Sequence, residues 1–173
     1  EVHGPAVPGS DQIEVWTLSV DFVTPANSTF GLATSVAVAE FDSDLCGGNF
    51  ACVPQPGGQG LDPLREVVMW RAQYRNFGAF QTLVGNLVTD VSGTDQAGIR
   101  WFELQRIGLG AWSLFQEGTY APDTDNRWMG SMAMDGSGNM ALGYSVASST
   151  VFPGIRYTGR LLGSPAGLMD QAE

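Results

Sequence analysis

Asp135, Ser137 and Asn139 put three side-chain oxygens at alternate positions of the run from Met134 to Asn139. Calcium loops use that spacing. The acidic residue that would close such a loop at its twelfth position is missing, because Val146 stands there. The same residues also suit a hairpin turn, with Gly136 and Gly138 supplying positive φ and Asp135 capping its own backbone. The turn is the simpler expectation and calcium the sharper one. Asp123 and Asp125, in a Pro-Asp-Thr-Asp segment, are a second and weaker calcium candidate.

Carboxylates are the main chemistry left to this chain. The only histidine is His3, so Ser-His and Cys-His catalysis lack a base, and a multi-histidine metal site cannot be built within one chain. Lysine is absent, which removes Schiff-base chemistry and a Walker-type phosphate loop. Glycoside hydrolysis needs two carboxyl groups about 5–9.5 Å apart. Asp90, Asp95, Glu103, Glu117, Asp123 and Asp125 are the available pool. A sialidase-type site would add clustered arginines and a tyrosine nucleophile, for which Arg100, Arg156 and Tyr120 are the candidates. The turn at Asp135, however, lacks the S-x-D-x-G-x-x-W pattern of sialidase repeats.

Charge and cysteine usage narrow the setting. The 173 residues hold 18 acids against 8 arginines, a net charge of −10, and no arginine or lysine occurs before Arg65. Such a chain repels nucleic acid and anionic membrane surfaces. No run approaches the ~20 apolar residues of a membrane-spanning helix. Cys46 and Cys52 are the only cysteines, with five residues between them, two of them glycine. They are expected to form a disulfide, and with it comes an oxidising compartment. The start at Glu1 fits a mature secreted chain or a piece of a longer one. Asn27-Ser28-Thr29 is a glycosylation acceptor by pattern.

The elements that must position these residues are strands. Residues 1–10 are rich in Gly and Pro and predict an irregular arm. Gln12 to Phe22 alternates β-branched and aromatic residues with others and predicts a strand with both faces partly covered. Further strands are expected over Phe30–Phe41, Leu64–Phe77, Gln81–Val91, Ile99–Leu104, Ala111–Gln116 and on either side of the Asp135 turn. Residues 42–63 form a long loop pinned by the disulfide, and residues 164–173 a tail without a firm element. The strand-bearing region therefore runs over 11–163.

Two fragments recur. Gly98-Ile99-Arg100-Trp101 returns 56 residues later as Gly154-Ile155-Arg156-Tyr157, and Leu83 to Asn86 returns 58 residues later as Ala141 to Tyr144. Units of this length, each with about four strands, suit propeller blades. Because Arg100 and Arg156 recur in the repeat, they are expected to be scaffold, each pairing with a carboxylate between blades.

Arg127 to Ser131, Met134 to Asn139, Ala141 to Val146, Ile155 to Arg160, Gln73 to Gly78 and Gly118 to Asp123 together resemble repeats of large secreted bacterial proteins of unassigned function. The resemblance covers most of the chain from about Gln12 onward. It implies a β-propeller-like fold and export, and it implies no activity. The expected fold is all-β, in antiparallel four-stranded blades, partial or assembled from several chains, with a β-sandwich as the alternative. The expected function is a non-enzymatic extracellular module for binding, adhesion or assembly. Its partners would be other segments or copies of the same protein, or carbohydrate, with calcium as the one cofactor considered. A glycosidase-like propeller enzyme is the alternative.

Overall fold

The computed structural model describes residues 11–173. The arm predicted over 1–10, with His3, lies outside the described residues. The described chain is all-β and makes three antiparallel sheets in chain order. The first is a hairpin of β1 (Gln12–Ser19) and β2 (Thr29–Ala37). The second is a meander of β3 (Gln73–Asn76), β4 (Gln81–Asp90), β5 (Ala97–Arg106) and β6 (Ser113–Tyr120). The third is a meander of β7 (Asn126–Met134), β8 (Met140–Ala147) and β9 (Gly154–Arg160). Among the described residues no helix is long and apolar enough to cross a membrane.

The sheets stack face to face, with the second in the middle. Val84, Ile99 and Trp101 point to the third sheet, where Met132, Met134, Met140, Leu142 and Tyr144 meet them. Leu87, Phe102 and Leu104 point the other way, to Ile13 and Val36 of the first sheet and to Trp112. This explains why β4 and β5 are apolar on both faces while β7 alternates from Trp128 onward. Each large side chain so buried contributes about 1.5–3 kcal/mol.

The loop over 42–63 is tied down at several points. Cys46 and Cys52 are joined by a disulfide, with Cα atoms 5.9 Å apart. Leu45 and Val53 pack with Val88, Ala97, Trp128 and Ala147 at one end of the two larger sheets. Backbone bridges join Asp42 to Asp90 and Val53 to Leu61.

Strand expectations need correction. β1 stops at Ser19, short of Phe22, and its Trp16 and Leu18 face stands exposed. Leu64–Phe77 is not one strand: only Gln73–Asn76 is, and Val68 makes a single bridge to Leu87. Leu64 and Glu66 take positive φ, 47° and 66°, which breaks an extended run. β2 also stops at Ala37, short of Phe41, where the chain turns to follow Asp11 and the central sheet.

The tail over 164–173 has no regular element, yet it is packed. Gly118 lets it approach: a Cβ there would stand 2.1 Å from the Gly167 carbonyl oxygen. Met169 enters the core between the second and third sheets. Gln171 N then donates to Gly159 O at 3.0 Å, so the tail runs beside β9.

Candidate binding cleft and ion-pair network

The Asp135 carboxylate is occupied by its own turn. Oδ1 accepts from the backbone N–H of Ser137 at 2.8 Å and of Asn139 at 2.9 Å, and Oδ2 accepts from Asn139 Nδ2 at 2.8 Å. These bonds, the Asn139 side chain foremost, hold the Asp135 pKa below the usual carboxylate value. Asn139 Oδ1 accepts from Leu162 N at 3.0 Å, which ties the turn to the segment after β9. Gly138, at φ +86°, supplies the left-handed residue this turn requires. Among the described residues no three His, Cys, Asp or Glu side chains are grouped to hold a metal ion.

Asp123 is held by Arg127. Its two carboxylate oxygens take Nη1 and Nη2 at 2.7 and 3.0 Å, and the Arg127 hydrogen bond holds its pKa low. Asp125 contributes its carbonyl oxygen to Arg127 Nη1 at 3.1 Å. Arg127 is fully buried and lies over the rings of Tyr120 and Tyr144, 5.7 and 5.8 Å from their centroids. Its Nε and Nη2 also reach Glu173 Oε1, at 3.0 and 2.8 Å. Tyr144 donates its hydroxyl to the same oxygen at 2.6 Å, and Arg156 Nη1 reaches Oε2 at 2.7 Å. Burial works to raise the Glu173 pKa, but these three donors outweigh it and the net shift is downward. Burial and the bond to Glu173 push the Tyr144 hydroxyl well above its ordinary value.

Arg100 makes the matching pair in the central sheet. It bonds Glu117 across β5 and β6, and also Ala39 O at 3.2 Å, while Glu117 accepts from Ala39 N at 2.9 Å. Both Arg-to-Glu pairs span 17 residues, from the two recurring Gly-Ile-Arg-aromatic fragments. The acid of each pair comes from the neighbouring strand or tail of the same unit, whereas a carboxylate between blades was expected. Tyr120, Arg100 and Arg156 thus sit in packed networks. Asp90 closes its own turn, accepting from Ser92 N, Gly93 N and Asp95 N at 2.9–3.0 Å, and Asp95 reaches the disulfide loop, accepting from Cys46 N. Glu40, Asp42 and Asp90 line a shallow recess with Thr119, whose Oγ1 accepts from Arg100 Nη1 at 3.4 Å. Asn27 is exposed on a short 3-10 turn, with Nδ2 3.3 Å from Asp21 Oδ2.

One acid has a different setting. Glu103 lies on the floor of a cleft of about 450 Å³ between the second and third sheets. It is 2% exposed, and its two oxygens accept from Gln105 Nε2 at 2.8 Å and Gln116 Nε2 at 2.6 Å. Phe77, Phe80 and Phe115 form apolar walls, and the Asp135 turn closes one side through Gly136, Ser137 and Gly138. Arg160 lines the cleft from β9, fixed by bonds from Nε to Leu168 O at 3.2 Å and from Nη2 to Ser164 O at 2.8 Å. Of the cleft residues, the sequence pointed only to Glu103 and the turn. Glu103 follows Ile99 and Trp101 at alternate positions of β5, so a carboxylate on a buried face was a visible signal. Gln105, Gln116 and Arg160 gave none, because the tail and the third sheet that enclose them come from distant sequence.

Comparison with protein-family models, with curated proteins and with solved structures found no match for this chain.

Proposed function

We propose that this chain is a non-enzymatic β-repeat module of propeller type, in which the three stacked sheets are successive blades and further blades cover the outer ones. The observation behind this reading is the fate of the repeated Gly-Ile-Arg-aromatic fragment. Ile99 and Trp101 are fully buried under the third sheet. Their repeat equivalents, Ile155 and Tyr157, face away from the central sheet and are 87% and 74% exposed. Around them Ser131, Ala133, Ala141, Gly143 and Gly159 make a flat floor of small residues, paired across β7, β8 and β9. The other end of the stack is bulky and apolar: Trp16, Leu18, Phe30 and Leu32 share one exposed face of the first sheet. Apolar faces of this kind mark interaction sites. The natural cover is another sheet of the same kind, from a longer chain or a second copy.

The disulfide fits an extracellular setting. The enzyme reading is weaker, because it needs two free carboxylates and an arginine in one concave site, and in the acidic recess Asp90 is held by its own turn while Arg100 is paired with Glu117. The cleft offers Glu103 and Arg160 without a second acid among its described lining. Sedimentation velocity over rising concentration tests the module reading. Self-association of the 18.4 kDa chain, lost in a Trp16→Ser, Tyr157→Ser double variant, is expected. A monomer at every concentration argues against exposed blade faces.

A further inference from the structure

We propose that the cleft floored by Glu103 binds a neutral sugar ring. Whatever covers the outer face of the third sheet, this cleft lies on the inner side and is open to a small ligand. Its volume falls in the ~300–1,000 Å³ range of small-molecule sites, and its lining combines apolar walls with a few fixed polar groups. Phe77 and Phe80 stack on each other with centroids 5.1 Å apart, which stiffens one wall, and Phe115 stands exposed on β6 at the other. Aromatic rings accept the C–H face of a sugar.

The polar groups select among ligands. Glu103 is an acceptor, and the two glutamine amides that hold it keep a second N–H each. Arg160 adds a guanidinium whose orientation is set by backbone carbonyls, so it loses little freedom when a ligand arrives. A hydroxyl can donate to the carboxylate and accept from an amide or guanidinium, so adjacent hydroxyls on a ring match this mixture. An organic cation would meet Arg160, and an anion would meet Glu103. A neutral polyol with one apolar face meets neither penalty.

The test is amide-shift NMR of the ¹⁵N-labelled chain. Maltotriose, cellotriose, laminaritriose and xylotriose are the probes, with tetramethylammonium chloride and sodium phosphate as charged controls. Saturable shifts with at least one trisaccharide, centred on Gln105, Phe115 and Gly136 to Gly138, are expected. Phe115→Ala, a change at an exposed position, is expected to weaken that binding by about tenfold, and Glu103→Gln by a similar factor. The proposal is overturned if no trisaccharide shifts these amides up to about 20 mM. It is equally overturned if only a charged control does so, or if Phe115→Ala leaves the affinity unchanged while its spectrum shows an intact fold.

Discussion

Replacing Arg127 with Met tests whether the ion-pair network is structural. Arg127 is fully buried and joins Asp123, Glu173 and the Asp125 carbonyl, so its loss takes the cation from Asp123 and leaves Glu173 with Arg156 and Tyr144 alone. Breaking a buried pair from one side costs about 3–5 kcal/mol. Both acids are partly exposed and can recover water, and Met refills most of the apolar volume, so a cost of about 2–3 kcal/mol is expected. For a chain of this size that lowers Tm by about 5–10 °C. The pH dependence gives a sharper check. Asp123 and Glu173 both have pKa values held below their ordinary values of 3.8 and 4.5 in the folded chain. A depressed carboxylate pKa contributes stability above the unfolded pKa, and that contribution disappears as pH falls through the folded one. The gap between the native chain and Arg127→Met, measured by urea denaturation, should therefore be widest above about pH 5 and close towards pH 2. A gap below about 1 kcal/mol at pH 7, or one unchanged at pH 2, would refute the reasoning.

Other perturbations have equally direct readouts. Cys46→Ser with Cys52→Ser opens a loop with a sequence separation of 6 and should cost about 2 kcal/mol by chemical denaturation; an unchanged midpoint contradicts this. Gly118→Ala should push residue 167 away and expose the tail, seen as faster hydrogen exchange at the Gln171 amide, because the added Cβ would meet the Gly167 carbonyl. Asp135→Ala removes the acceptor of three turn bonds and should lower Tm and speed hydrogen exchange at the Ser137 and Asn139 amides; unchanged exchange there contradicts this. Since three turn bonds hold the Asp135 carboxylate against its own backbone, calcium and chelator should leave Tm of the native chain unchanged; a calcium-dependent rise would revive the metal site.

The all-β class and most strands were legible because period-2 alternation and turn residues are local signals. β7 and β8 show this best, with apolar residues at alternate positions about a glycine turn. The repeat was legible too, though one of its alignments slips. Trp101 pairs with Asn86, and Tyr157 pairs with Gly143, so the strands correspond at 57 residues, where 58 was expected. A one-residue slip moves every side chain to the opposite face. Matching Val84 with Leu142 therefore equates residues that both point into one shared core from opposite sides. Leu64–Phe77 misled for another reason: its alternating apolar residues fit a strand, but Val67, Val68 and Trp70 stay exposed, with only Val68 bridged to the sheet. The tail was illegible because Ser, Pro and Gly give no period, and its order comes from the surface it lies on. The cleft was half legible. Glu103 could be picked as a carboxylate on a buried face, while the groups that surround it are brought there by tertiary packing alone.

On the proposed module reading, a further sheet covers the outer face of the third sheet. An experimental structure of the protein in its native assembled form tests this most directly. A β-sheet packed over Ile155 and Tyr157, burying them as Ile99 and Trp101 are buried, is expected. A native assembly in which that face stands open to solvent, or is met by something other than a sheet, would contradict it.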